Sequence, residues 1–281
     1  MAEAADLLDE RNTLGDQLVT LAVVNGDVAV VTLNRPERNN AWNEAMEVQF
    51  YAAMDAAVAD QRVRAILLTG SGSAFCPGMD TARLSQVVDE NKPYMSDRRP
   101  QTFLRHVPKP VVAAVNGACA GIGLVQALMA DVRFTADDAK WTAAFTRIGL
   151  VAEDAIAWRL QRIAGEGVAS DLLLSSRIFT GAEAARLGVA TRACPLGLLM
   201  DTALEYTREL ATRSPASLAL VKRQLVLDAE DTLEHSRTRS VDYLAQAKLL
   251  PDYREGVRAH LEHRKAAFPP LPDGMANIDT E

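Results

Sequence analysis

Two short segments of this 281-residue chain join small residues, glycines and an abrupt change of pattern in a way suited to holding negative charge. In residues 67–80 (LLTGSGSAFCPGMD) an apolar run ends at Thr69-Gly70-Ser71-Gly72 and continues through Ala74-Phe75-Cys76 into Pro77-Gly78-Met79-Asp80. Small side chains and Gly78 let a ligand approach the backbone closely. A helix beginning near Asp80 leaves the Met79 amide unpaired at the positive end of the helix dipole. Residues 109–124 (KPVVAAVNGACAGIGL) repeat the design, with an apolar run, the glycines Gly117, Gly121 and Gly123, and a helix whose first amides lie near Ile122. One such turn is commonplace. Two that converge place a pair of N–H donors on one developing negative oxygen, an oxyanion hole, which is often the largest electrostatic contribution in acyl chemistry.

The elements that position these turns follow from the pattern. Residues 18–24 and 27–33 flank Asn25-Gly26, a hairpin signal. A polar turn over 34–40 precedes an amphipathic helix over 43–59. Short buried strands are expected at 64–69, 111–115 and 131–135, with helices at 122–130 and 155–164. From residue 181 the pattern is helical throughout, over 181–187, 197–213, 215–228, 231–248 and 252–266. Strand–turn–helix repeats followed by helices predict an α/β core with an all-helical C-terminal region. The division is a tail over 1–16, a core over 17–195, a helical oligomerisation region over 196–268 and a tail over 269–281. Residues 86–102, with mixed charges and two prolines, read as a loop or a flap over a site.

Composition narrows the function. With 48% hydrophobic and 24% charged residues the chain has ample material for a core, and its net charge of −7 argues against a nucleic-acid surface. The three cysteines (Cys76, Cys119, Cys194) are widely spaced, which disfavours a disulfide framework or zinc site and suits a reducing compartment. The acidic first ten residues are unlike a signal peptide, and no apolar run reaches membrane-spanning length. A cytoplasmic protein is expected. The Gly117-xxx-Gly121-Ile-Gly123 pattern also resembles a dinucleotide fingerprint, but none of the five tyrosines has a lysine four residues on, and no acid ends a strand at the expected distance. His260 and His263, on one helix face, have no acidic or cysteine partners that would make a metal site.

Residues 33–43 (LNRPERNNAWN), 70–80 (GSGSAFCPGMD) and 109–117 (KPVVAAVNG) resemble, in order and spacing, the enoyl-CoA hydratase/isomerase (crotonase) family over roughly residues 17–268. The resemblance implies the crotonase-like core of repeated ββα units wound into a superhelix. It implies CoA thioester substrates with no further cofactor, stabilisation of a thioester enolate, and a homotrimer or dimer of trimers. It assigns the two oxyanion donors to the amides of Met79 and Ile122. Arg38, Asn40 and Ala41 match the segment along the CoA moiety, and Ala74, Gly78 and Asp80 the lining of the pantetheine path. Arg264 and Lys265 match a closing helix that reaches CoA phosphates of a neighbouring subunit.

The same resemblance exposes a departure. Hydratases of the family use two glutamates, and the matching positions hold Val125 and Phe145. One acid pair remains in residues 148–154 (IGLVAED), where Glu153 matches the active carboxylate of other members and Asp154 is the alternative. A helix beginning after Asp154 would place one of these acids at its N-cap. Apolar neighbours such as Val125, Phe145 and Val151 would raise the pKa of a carboxylate there, which suits proton shuttling. The expected activity is hydration or double-bond isomerisation of an enoyl-CoA. The alternatives are hydrolase or dehalogenase chemistry, or a lapsed acyl-CoA-binding subunit.

Overall fold

A computed structural model describes residues 17–83, 85 and 99–276; the expected N-terminal tail and most of the expected flap lie outside them. Strands β1 (Val19–Val24) and β2 (Val28–Leu33) form the hairpin foreseen at Asn25-Gly26, with Val24 opposite Val28. Helix α1 (Glu44–Ala59) follows, capped by Asn43, whose side chain accepts from the Met46 amide at 2.8 Å. The chain then alternates between two sheets. Strands β3 (Ala65–Gly70), β5 (Val111–Val115) and β7 (Val132–Ala136) extend the hairpin, and β10 (Arg192–Cys194) completes a six-stranded sheet in the order β1-β2-β3-β5-β7-β10.

Each of β3, β5 and β7 is followed at once by a short strand of a second sheet. These are β4 (Ala74–Cys76), β6 (Ala118–Ala120) and β8 (Lys140–Thr142), with β9 (Phe179–Thr180) at the edge. The pairings Ala74↔Ala118 and Cys119↔Trp141 keep the two sheets in step, so each turn of the superhelix is a strand, a second strand and a helix. Sequence periodicity overlooked these three-residue strands, because a run so short carries no alternation to read. It also overlooked β10, in a region expected to be helical throughout.

Helix α2 (Ile122–Met129) is wholly buried. Its C-terminal carbonyls are neutralised by two arginines, Arg159 donating to the Leu128 carbonyl at 2.9 Å and Arg133 to that of Ala130 at 2.8 Å. Cations at a helix C-terminus offset the negative end of its dipole. Helices α3 (Ile156–Ala164), α4 (Glu166–Ser175) and α5 (Gly181–Arg186) continue the core. Helix α6 (Leu196–Ala211) packs on the large sheet, and α7 (Pro215–Leu227) inserts Lys222, whose ammonium reaches Asp131 at 2.6 Å and the carbonyls of Leu104 and Lys109. Helix α8 (Leu233–Leu249) buries none of its residues, and α9 (Pro251–Leu261) ends five residues before the expected 266. The expected C-terminal tail is tied down through its first part: Leu271 is buried and Gln61 donates to Asp273 at 2.8 Å.

Asn40 joins the polar turn to the sheet crossover. Its side chain is wholly buried, accepts from the Arg35 amide at 2.7 Å, and donates to the carbonyls of Ser71 at 2.9 Å and Ala74 at 2.7 Å. It also sits at φ 61°, where asparagine is tolerated better than most residues. Asn40→Ala removes three hydrogen bonds to main-chain groups, leaving those of Arg35 and Ser71 without that partner and Ala74 with Asn116 alone, and should lower the unfolding free energy by about 3 kcal/mol. Urea unfolding checks this; a loss below about 1 kcal/mol would mean that the turn is held by other contacts.

Candidate functional site

The two glycine turns do converge. Strands β4 and β6 are neighbours, and a Cβ placed on Gly121 would lie 3.7 Å from the Gly78 Cα. Gly121 is at φ 49° and precedes the first residue of α2. The first turn of α2 lies against β4 so closely that a Cβ at Gly123 would fall 2.1 Å from the Cys76 carbonyl oxygen. Only glycine permits that approach.

Trp42 fixes the orientation of the first turn. Its amide donates to the Gly78 carbonyl at 2.8 Å and its carbonyl accepts from the Asp80 amide at 2.8 Å, a parallel bridge opposite Met79. In such a bridge the peptide groups on either side of Met79 face Trp42, and the Met79 N–H faces away. That N–H donates to no backbone acceptor among the described residues. The first intrahelical bond of α2 runs from Val125 to Gly121, which leaves the Ile122 amide without an intrahelical partner. Trp42 is itself anchored, its indole N–H donating to Glu47 at 3.0 Å and its ring edge-on to Phe50 at 5.4 Å. The sequence pattern places Trp42 with the packing residues, and nothing in it announces a long-range bridge to Met79.

The helix expected near Asp80 is present, with residues 81–83 and 85 helical. Asp80 accepts from the Ala82 amide at 3.0 Å and pairs with Arg35 at 2.5 Å, and these contacts hold its carboxyl below the usual range. Its carboxylate therefore braces the turn, as does the Ala74 carbonyl, which accepts from Asn40 and Asn116. Of residues 38, 40 and 41, Arg38 is exposed, the Asn40 side chain is spent within the fold, and the Ala41 carbonyl accepts from Arg35 at 3.0 Å. Cys76 and Cys119 are fully buried opposite each other, and burial pushes the Cys76 thiol up to about 12, which makes it inert at neutral pH. Arg264 is held by Glu255 at 2.6 Å and by Glu262 at 2.6 Å. Arg264, His260 and Lys265 line a groove of about 660 Å³ with Arg64, which precedes β3, the end opposite to the Met79 turn.

Val125 and Phe145 are buried, as expected of apolar residues. Two expectations about the acids need correction. Neither carboxylate caps α3: the N-cap is Ala155, with no side-chain hydrogen bond, and the Ile156 amide donates to the Glu153 main-chain carbonyl at 2.9 Å. Asp154 and Ala155 both adopt left-handed backbone, φ 45° and 57°, which turns the chain before the helix can be capped. Val151 is 79% exposed and does not help to bury the acids. Both acids are nevertheless half-buried. Burial raises the carboxyl of Glu153, with a further contribution from the Asp154 charge, and burial raises that of Asp154 against a main-chain N–H of Gln101. Gln101, in the stretch expected to be a loop, is 2% exposed within a 3₁₀ turn (Gln101–Arg105) packed on α2.

A family model described as enoyl-CoA hydratase/isomerase matches residues 24–270. Over 256 residues the chain is 35% identical to the 1,2-epoxyphenylacetyl-CoA isomerase of Escherichia coli K12, covering 88% of this chain and 97% of that one. Among solved structures, an enoyl-CoA hydratase from Mycobacterium marinum is 44% identical, with a TM-score of 0.65 over 74% of this chain and 96% of its own. One from Polaromonas sp. JS666 is 26% identical, with a TM-score of 0.81 over 89% and 99%.

A carboxyl raised on folding favours the neutral form. Its stabilising contribution is full below the unfolded value and is lost as pH rises through the folded one. Glu153→Gln should therefore stabilise the protein at pH 7, by up to about 1 kcal/mol after solvent screening, and do little near pH 4. Urea unfolding at the two pH values checks this, and a destabilised variant at pH 7 would contradict it.

Proposed function

Because this chain belongs to the enoyl-CoA hydratase/isomerase family, we propose that it moves a double bond within an enoyl-CoA through a thioester enolate, with Glu153 carrying the proton. The observation that supports this best is the juxtaposition of two amides, Met79 and Ile122, that donate to no main-chain acceptor among the described residues, at turns whose glycines are nearly in contact. A thioester oxygen held between them takes on charge as a base removes a proton from the acyl chain, and oriented donors favour that charged state over the ground state.

The proton needs a single carrier. Glu153 takes it from one carbon as the electron pair moves onto the thioester oxygen. It returns the proton at another carbon as the enolate collapses, so nothing is gained or lost overall. A carboxyl raised by burial suits both directions, because it takes up a proton more readily than an exposed carboxylate does and can still return it. Buried, apolar Val125 and Phe145 leave no second carboxylate at the positions where a hydratase of this family carries them, which supports proton return over water addition. The 35% identity to an isomerase is in keeping with this, whereas the 44% identical relative bears the name of a hydratase. Hydration with one carboxylate and a backbone-held water is therefore the second reading.

Around this centre, Arg38 and Ala41 border the path of the CoA moiety, while Gly78 and Gly121 let the thioester reach the amides. Helix α8 exposes Leu233, Val241, Leu244 and Leu249 and buries nothing, and a helix so placed gains its stability from a partner surface. We assign that surface to neighbouring subunits of a homotrimer or dimer of trimers.

The test is exchange of substrate protons in deuterated water over a chain-length panel of enoyl-CoA thioesters, with product analysis for shifted double bonds or added water. Glu153→Gln should slow exchange by about 100-fold or more while still binding thioester. Normal turnover in that variant would remove Glu153 from the mechanism. Absence of exchange in the native protein on every thioester would leave only acyl-CoA binding.

A further inference from the structure

We propose that Gln101 is a positioning residue that sets the Glu153–Asp154 pair to work, its main-chain N–H fixing Asp154 as the standing carboxylate and leaving Glu153 as the member that moves the proton. The assignment deepens the reading of Glu153 given above and rests on it.

Three hydrogen bonds carry the inference. The Gln101 main-chain N–H donates to Asp154 Oδ1 at 3.3 Å. Its side-chain Nε2 donates to the Tyr51 hydroxyl at 2.7 Å, and that hydroxyl donates to the Arg99 carbonyl at 2.5 Å. Gln101 thus links helix α1 to the loop that bears the acids, and it is 2% exposed. No such bond reaches the other acid: the Glu153 carboxylate accepts from none of the described residues.

The backbone supports the same division. Asp154 and Ala155 are consecutive non-glycine residues with positive φ, a conformation that persists only where surrounding contacts impose it. The contact from Gln101 holds one end of that turn, and the α3 bond from Ile156 to the Glu153 carbonyl holds the other. The acids are therefore presented in one arrangement. Two adjacent carboxyls in a half-buried place do not both ionise readily, and the first proton goes to the member without a donor. Burial raises Asp154 as well, but the Gln101 N–H offsets part of that rise, so of the two acids Asp154 holds its charge to lower pH. That charge in turn raises the proton affinity of Glu153.

The other charged groups of the elements packed here are engaged elsewhere. Arg99 pairs with Asp55 at 2.7 Å and lies over the Phe103 ring at 4.2 Å. Arg105 lies over Trp158 at 5.1 Å, Arg159 donates to the Leu128 carbonyl, and Arg147 is exposed. Neither acid has one of these cations as its partner.

The test is a carbon-13 NMR titration of the side-chain carboxyls in the full chain, native, Tyr51→Phe and Asp154→Asn. In the native protein Asp154 should take its proton at lower pH than Glu153. Tyr51→Phe keeps the Gln101 N–H but loosens its anchor, so the Asp154 midpoint should rise by roughly half a unit, toward that of Glu153. Asp154→Asn removes the standing charge, so the Glu153 midpoint should fall by roughly one unit, and the acidic limb of the exchange profile should fall with it. The inference is overturned if Glu153 ionises first in the native protein. It is equally overturned if neither variant moves the partner's midpoint, or if Asp154→Asn is as inactive as Glu153→Gln. Because the titration order is read without turnover, it separates the inference from the function: normal exchange in Glu153→Gln removes the mechanism whatever the order.

Discussion

The packing of the first turn of helix α2 onto strand β4 is the constraint on which the site depends. With hydrogen only at the Gly123 α-carbon, the helix can press against the Cys76 carbonyl, in space that a methyl group would have to share at 2.1 Å. That approach brings Gly121 onto Gly78 and sets the Ile122 amide beside the Met79 turn. Two unpaired N–H groups buried at random would be a liability. Brought together at two neighbouring turns, they are the pair that the proposed function assigns to the thioester oxygen.

The surrounding structure takes up many of the main-chain groups next to those donors. Trp42 takes up the peptide groups on both sides of Met79, Asn40 takes those of Arg35, Ser71 and Ala74, and Asp80 takes Ala82 and Arg35. At the far end of α2, Arg133 and Arg159 neutralise the last carbonyls, while its N-terminus faces the site. Several polar residues that border the site are thus part of its frame, and the surfaces left for a thioester are mostly backbone and small apolar side chains. In the proposed function such a site would stabilise charge without choosing a reaction. On that reading the choice falls to the acids on the loop before α3, which are half-buried and leave that helix uncapped.

Much of the fold was legible in the residues. The Asn25-Gly26 hairpin, the Asn43-capped helix and the buried runs at β3 and β5 announce themselves through turn chemistry and periodicity, because each is decided by neighbours along the chain. The short strands β4, β6 and β8 were not legible, since three residues carry no period and are strands only because the adjacent layer pairs with them. Strand β10 was hidden for a similar reason, as a three-residue edge added to β7 within a helical region.

For the site, the amino-acid order by itself determined which backbone groups could be donors and which acids could act. The glycines at 78, 121 and 123 and the apolar residues at 125 and 145 leave few other choices. Only the tertiary structure decided what holds them. Trp42 became the brace of Met79, Gln101 left a presumed loop to bind Asp154, and the acids turned away from capping α3. These are contacts between residues far apart in the chain or results of left-handed backbone at non-glycine residues. Local propensity does not encode either; both exist only once the layers have closed around them.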